Sequence, residues 1–198
     1  MPLRSATSIS QFKIDFVKQV LIFLWEVFEI AVIAIVSVIV IRTFIVQPFL
    51  VRGASMEPNF SGGDYLLVDE ITLRFREPER GEVVVFRFPR DPQTFYIKRI
   101  IGLPAETVSI RDNQITIKNS DYPEGFALNE AYTNSGGLTG GEVMYEMGPG
   151  EYLVLGDNRS ASYDSRNWGT VPRDNIIGLA KIRLWPIDAV DIIEAPSY

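Results

Sequence analysis

The chain has 198 residues, 46% of them hydrophobic, with 19 Lys+Arg against 25 Asp+Glu and neither His nor Cys. That composition excludes a disordered chain, a Ser-His-Asp triad, a thiol nucleophile, a disulfide framework and any zinc site built on imidazole or thiolate. A hydrolase of this composition must take its general base from Lys, Asp or Glu.

The charge is unevenly placed. Residues 1–50 carry four basic and three acidic side chains, so the remaining chain holds 15 against 22, an acidic balance that makes nucleic acid a poor partner. The missing cysteines fit either side of a membrane.

The first predicted element is the apolar run 20–41, which at 1.5 Å per residue spans roughly 33 Å, enough to cross a bilayer's hydrocarbon core. Only Glu26 and Glu29 are charged within it; they share a helical face, and the reading preferred for them is a headgroup boundary beside Trp25, the other a contact with a partner helix. Upstream, Arg4, Lys13 and Lys18 outnumber Asp15, which predicts a cytoplasmic N-terminus and a chain that crosses outward. The tail before the run and the run's length favour an uncleaved anchor over a cleaved signal sequence, and apolar residues all round argue against a helix buried in a soluble fold. The expected organisation is a cytoplasmic tail over 1–19, a transmembrane anchor over 20–42 and an extracytoplasmic domain over 43–198.

Beyond Pro48 the texture becomes short runs rich in Val, Ile, Phe and Tyr, broken by Gly, Pro, Asn and Asp. Strands are predicted over 65–69, 82–88, 94–102, 106–111, 114–118, 152–155 and 176–185, with a hairpin turn at Asp112-Asn113. No segment past residue 50 has a helical period, so the fold class is mainly β: an antiparallel β domain tethered by one N-terminal transmembrane helix. The polar, glycine-containing stretch 119–150 is expected to be an exposed, partly mobile excursion. The apolar residues Phe44, Ile45, Val46, Phe49, Leu50 and Val51 either dip into the outer headgroup region or pack inside the β domain.

Three segments break the strand texture: Gly53-Ala54-Ser55-Met56-Glu57-Pro58, Tyr96 through Pro104, and Gly156 through Gly169. Taken singly, each is an ordinary turn, strand face or loop. Taken together they suggest more. Strand alternation puts Lys98 on a face with Tyr96 and Ile100, where burial disfavours the ammonium. Lowering a lysine from about 10.4 to about 7–8 takes roughly 3–5 kcal/mol, which an apolar site supplies and a solvated one does not. A neutral Lys98 could take the proton of Ser55, nucleophilic catalysis that needs no imidazole.

These segments resemble the motif boxes of the type I signal peptidases, membrane-bound Ser-Lys proteases. The resemblance runs through the anchor, Gln47-Pro48-Phe49, Ser55-Met56-x-Pro58, Arg80 through Phe86, Lys98 through Pro104, and Gly156 to Pro172. It implies Ser55 as nucleophile and Lys98 as general base, Ser162 as the residue that hydrogen-bonds and orients the base, an Asp164–Arg166 ion pair in support, and Asp157 in the same box. It further implies pockets lined by Phe49, Val51 and Ile97. The sequence carries no phosphate-binding glycine loop, EF-hand or metal cluster, so no cofactor and no metal are expected. The partners implied are the lipid bilayer and secretory preproteins cut after small-x-small; the host membrane would be the plasma membrane or an internal photosynthetic one.

Gly53 stands where some members carry a serine that assists the oxyanion, leaving the Ser55 backbone N–H as the main donor. Glu82 stands where aspartate is common. A more specialised peptidase of the same chemistry, a catalytically silent membrane-tethered binding module, and an aspartic hydrolase using Asp157 and Asp164 are the competing readings; the last lacks two matching segments to build a dyad.

Overall fold

A computed structural model describes residues 6–44, 46–133, 139–196 and 198, with helix side chains described from 16 to 39. The chain divides into two units, residues 1–44 and 45–198.

The first unit is one helix, α1 (Ala6–Phe44), which extends past the predicted run at both ends and takes in most of the expected tail. Within it Phe16–Ile39 is long and apolar enough to cross a membrane. Its apolar side chains are exposed all round, as a lipid-facing helix requires and a soluble one avoids. Glu26 and Glu29 fall at the middle of that stretch, not at its end, so a headgroup position for them requires the span to sit further toward the C-terminus.

The second unit is antiparallel throughout. Its larger sheet runs β1 (Val46–Leu50), β2 (Tyr65–Asp69), β11 (Ile176–Trp185), β3 (Val83–Phe88), β4 (Asp91–Gly102), β9 (Glu151–Leu155), β10 (Val171–Pro172), with β12 (Asp191–Ile192) also on β11. A smaller sheet is ordered β7 (Phe126–Ala127), β6 (Gln114–Lys118), β5 (Thr107–Arg111), β8 (Val143–Glu146). Asp112 and Asn113, both at positive φ, make the tight turn between β5 and β6.

The alternating apolar positions explain how the sheets pack. Val108, Ile110, Ile115 and Ile117 of the small sheet bury against Ile101, Leu153 and Leu155 at the ends of β4 and β9. A second cluster gathers Phe86, Ile100, Tyr152, Val154 and Trp168. A third, of Val51, Met56, Phe60, Leu66, Val83 and Ala180, lies under the loop that carries Ser55. Burying each such side chain contributes about 1.5–3 kcal/mol, so this third cluster anchors the loop despite its lack of regular structure.

Of the stretch 119–150, residues 134–138 lie outside the described residues and most of the others are exposed as expected, but it is not featureless. It supplies β7 and β8 and buries Leu128, Glu130, Thr133, Thr139 and Met147. Its polar residues obscured this, because buried polar groups that find partners inside the protein cannot be told from solvated ones by composition. Val46–Leu50 also forms a strand, despite Pro48, at the sheet edge where proline is tolerated. A single helical turn, α2 (Ser165–Trp168), is too short to leave a period in the sequence. Of the apolar group at 44–51, Val51 is core while Leu50 is 43% exposed; Ile45 and the side chains of Phe44 and Val46 lie outside the described residues.

Candidate active site

Ser55 and Lys98 come from segments 43 residues apart, and the fold brings them within hydrogen-bond distance: Lys98 Nζ donates to Ser55 Oγ at 2.7 Å. The same Nζ donates to the Ile97 carbonyl at 2.9 Å and stands 5.3 Å from the Tyr96 ring centroid. Lys98 pairs with Val84 in the β3–β4 register and is only 4% exposed. Burial pulls its pKa down from 10.5 to about 8, against the opposing pull of the Asp164 and Asp157 carboxylates.

A cleft of about 330 Å³ opens over the pair, walled by Phe49, Val51, Leu66, Ile97 and Tyr163 together with Ser55 and Lys98. Phe49, Val51 and Ile97 therefore share one cavity with the pair, although Val51 and Ile97 also belong to the cluster beneath the Ser55 loop. Along this cleft β4 has a free edge. Its pairing with β9 spans only Arg99 to Gly102, and residues 94–98 bond to β3 alone among the described residues.

The third segment closes the site from behind. Asp164 holds Arg166 in a two-pronged ion pair at 2.8 and 2.9 Å, caps α2 in a reciprocal box with Asn167, and accepts from the Gly156 N–H at 3.1 Å. Asp157 is held by Arg99 at 2.8 and 2.6 Å and by Asn59 Nδ2 at 2.8 Å. Each carboxylate is committed to its own arginine, an arrangement that does not support the paired carboxyls of an aspartic dyad.

Ser162 departs from expectation. Its hydroxyl is buried without a hydrogen-bond partner and does not reach Lys98. Gly156 packs tightly between Ser162 and the Ser55 backbone. A Cβ at 156 would lie 2.3 Å from Ser162 Oγ and 2.4 Å from the Ser55 carbonyl oxygen. Gly156→Ala is expected to push this turn off Ser55, costing about 1–3 kcal/mol of overpacking and at least about a hundredfold in turnover; urea unfolding and initial rates check both.

Three residues to which the sequence reading gave no part in the chemistry matter here. Arg99 is 4% exposed, and besides Asp157 it reaches the Gly81 carbonyl at 2.7 Å and lies over the Tyr132 ring at 4.4 Å. Alternation puts it on the face opposite Lys98, and a buried guanidinium demands a carboxylate, but only the fold selects Asp157. Asn158 donates from its backbone N–H to the Ser55 carbonyl at 3.0 Å and from Nδ2 to Ala54 at 3.1 Å. Tyr96 stacks on Phe88 at 4.8 Å and forms the apolar floor beside Lys98.

The fold and site thus define a β domain that follows a helix long and apolar enough to cross a membrane, with a serine hydroxyl bonded to a lysine whose pKa burial lowers. Comparison with known proteins gives this class its family. Residues 24–185 match the family model described as signal peptidase, peptidase S26. A probable signal peptidase I-2 of Synechocystis sp. is 38% identical over 179 residues, covering 85% of this chain and 76% of that protein. The signal peptidase I of Leptolyngbya laminosa is 36% identical over 179 residues, covering 84% and 82%. Signal peptidase I T of Bacillus subtilis is 34% identical over 161 residues, covering 79% and 83%.

The chain belongs to the signal peptidase I family, whose members cleave signal peptides from preproteins, and its apolar N-terminal helix fits membrane anchoring.

Proposed function

We propose that this protein is a serine endopeptidase that removes signal peptides by Ser-Lys chemistry. The observation that carries the reading is the 2.7 Å contact between Ser55 Oγ and the Nζ of a lysine that burial brings to about 8. With Lys98 neutral, one N–H goes to the Ile97 carbonyl and the lone pair is left to accept the Ser55 proton. Ser55 Oγ attacks the scissile carbonyl, forming the C–O bond as Lys98 takes the proton. Lys98 then gives that proton to the leaving amine as the C–N bond breaks. In the second half Lys98 takes a proton from water, the hydroxide oxygen attacks the acyl carbon, and Ser55 recovers its proton.

The oxyanion is assigned to the Ser55 backbone N–H, which has no acceptor among the described residues. Gly53 sits at φ +85°, a conformation that favours glycine over the serine some relatives of this type carry there. The signal peptide is proposed to lie extended along the free edge of β4, so that alternate side chains point at Phe49, Val51 and Ile97 and only small ones fit at the positions before the cut. Ser162, Asp157, Asp164 and Arg166 are proposed as support: Ser162 packs against Gly156, and the others fix the turn through their ion pairs. Residues 1–19 are read as the cytoplasmic tail, 20–42 as the anchor in the lipid bilayer and 43–198 as the extracytoplasmic catalytic domain.

The test is a precursor with an Ala-x-Ala boundary, incubated with detergent-solubilised wild type or Ser55→Ala and read by mass spectrometry. Cleavage after the final Ala by wild type alone is the expected result. An intact precursor with folded wild type would overturn the reading in favour of a silent binding module or of a narrower substrate set, which a panel of precursors separates.

A further inference from the structure

We infer that Glu130, from the stretch read in the sequence as an exposed excursion, is a positioning residue for the reaction, acting through Arg159 on the turn that backs Ser55 and Lys98. This rests on the Ser-Lys reading of the site.

The pair is sealed: the side chains of Arg159 and Glu130 are 2% and 1% exposed. Arg159 Nη1 donates to Glu130 Oε2 at 2.6 Å, Nη2 donates to Oε1, and Nη1 also donates to Thr139 Oγ1. The carboxylate further accepts from Thr139 Oγ1 at 3.1 Å and from Tyr132 OH at 3.0 Å. A charge pair this dry is costly to assemble, so its removal on one side leaves an uncompensated ion.

What the pair holds is the catalytic turn. Arg159 Nε donates to the Gly156 carbonyl at 2.8 Å, and the Arg159 carbonyl accepts from Arg166 Nη2 at 2.7 Å. Gly156 is the residue pressed between Ser162 and the Ser55 carbonyl, and Asn158, two residues on, donates to that same carbonyl. Glu130 therefore fixes the guanidinium, the guanidinium fixes Gly156, and Gly156 fixes how the Ser55 backbone sits against Lys98. Neither Glu130 nor Arg159 lines the cleft.

The same cluster carries an electrostatic consequence. The carboxylates acting on Lys98 are Asp157 and Asp164, Asp157 being paired with Arg99 and Asp164 with Arg166; Tyr96 is the aromatic facing it. Arg159 feels Glu130, Tyr132 and Asp157. Without the Glu130 charge the positive charge of Arg159 is no longer offset, and the net potential behind the turn disfavours the Lys98 ammonium.

The experiment measures kcat, KM and the pH dependence of kcat/KM for precursor cleavage by the full detergent-solubilised chain. Each rate is divided by the number of competent sites counted with a serine-directed acylating probe. Glu130→Gln is expected to lower kcat per competent site by roughly 30- to 100-fold with KM changed less than about threefold, because the reacting groups are misplaced while the cleft is intact. Its acidic limb moves to lower pH, since the Arg159 charge behind the turn is then unopposed.

Glu130→Asp restores part of kcat, and Glu130→Gln/Arg159→Gln is less impaired than the sum of its singles predicts. Should Glu130→Gln fail to fold, Thr139→Val, which removes one hydroxyl from the cluster, carries the same test with a loss of about threefold. An unchanged kcat per competent site with an unmoved pH limb would overturn the inference, even where fewer sites are competent, because a purely structural residue changes only their number. A wild type that cleaves nothing would instead overturn the peptidase reading.

Discussion

Lys98→Met is expected to lower kcat/KM by roughly a thousandfold or more while leaving the protein folded and more stable than wild type. The first effect follows from the loss of the only base within reach of Ser55 Oγ at 2.7 Å among the described residues. The second follows from the same burial that makes the lysine useful. An unfolded lysine keeps its proton to about 10.5, and the folded Lys98 loses it at about 8. Between those values the unfolded chain binds more protons, so stability rises with pH; below 8 the penalty is fully present, about 3 kcal/mol at 1.36 kcal/mol per unit. Methionine fills a similar volume without a charge to desolvate and should recover roughly 1–3 kcal/mol of this at pH 7.

In wild type the activity must climb as Lys98 loses its proton, so about one molecule in ten is competent at pH 7 and the rate rises toward a plateau above about pH 9. Denaturant midpoints and a pH–rate profile measure the two effects. A limb near 10.5 would mean that Lys98 is solvated in the working enzyme, and a less stable Lys98→Met would mean that the ammonium contributes to the fold.

Breaking the Arg99–Asp157 pair from one side is the largest stability change expected of any single substitution at the site. Asp157→Ala leaves a guanidinium that is 5% exposed with no carboxylate partner among the described residues, only the Gly81 carbonyl and the Tyr132 and Tyr198 side chains. A buried charge stranded in this way costs about 3–5 kcal/mol. Removing both ions in Arg99→Met/Asp157→Leu should recover most of that loss, because the desolvation penalty of each ion disappears with its charge. Urea denaturation of the four proteins gives the coupling energy. Activity should fall in Asp157→Ala and stay low in the double variant, since Asp157 also ties Asn59 to the turn whose Asn158 bonds the Ser55 carbonyl. A double variant no more stable than Asp157→Ala would show that the pair's hydrogen bonds, not its charges, dominate.

Much of this could be read in the sequence because it is written in local periodicity. Strands 65–69, 114–118 and 176–185 have the bounds expected of them, since each is an apolar run between turn residues, and in the first two the side chains alternate between core and surface. The membrane-length helix was equally legible, because a bilayer's hydrocarbon core rewards so long a stretch of apolar residues. The absence of histidine and cysteine narrowed the chemistry before any fold was known, and strand alternation alone put Lys98 on an apolar face.

What the tertiary structure decided are the partnerships across long sequence separations, where many polar residues could satisfy one another and only geometry selects. Arg99 takes Asp157, Arg159 takes Glu130, and Asn158 takes the Ser55 carbonyl. The stretch 119–150 looked solvated because its polar residues carry no mark of being buried, yet Glu130 lies behind the catalytic turn with its charge fully paired. Ser162 shows the reverse, a hydroxyl expected to orient Lys98 that is buried against Gly156 without a hydrogen-bond partner. Apolar burial is non-directional and follows composition and period, which a sequence displays. Hydrogen bonds and ion pairs depend on sub-ångström placement, which is fixed only when the whole chain has folded.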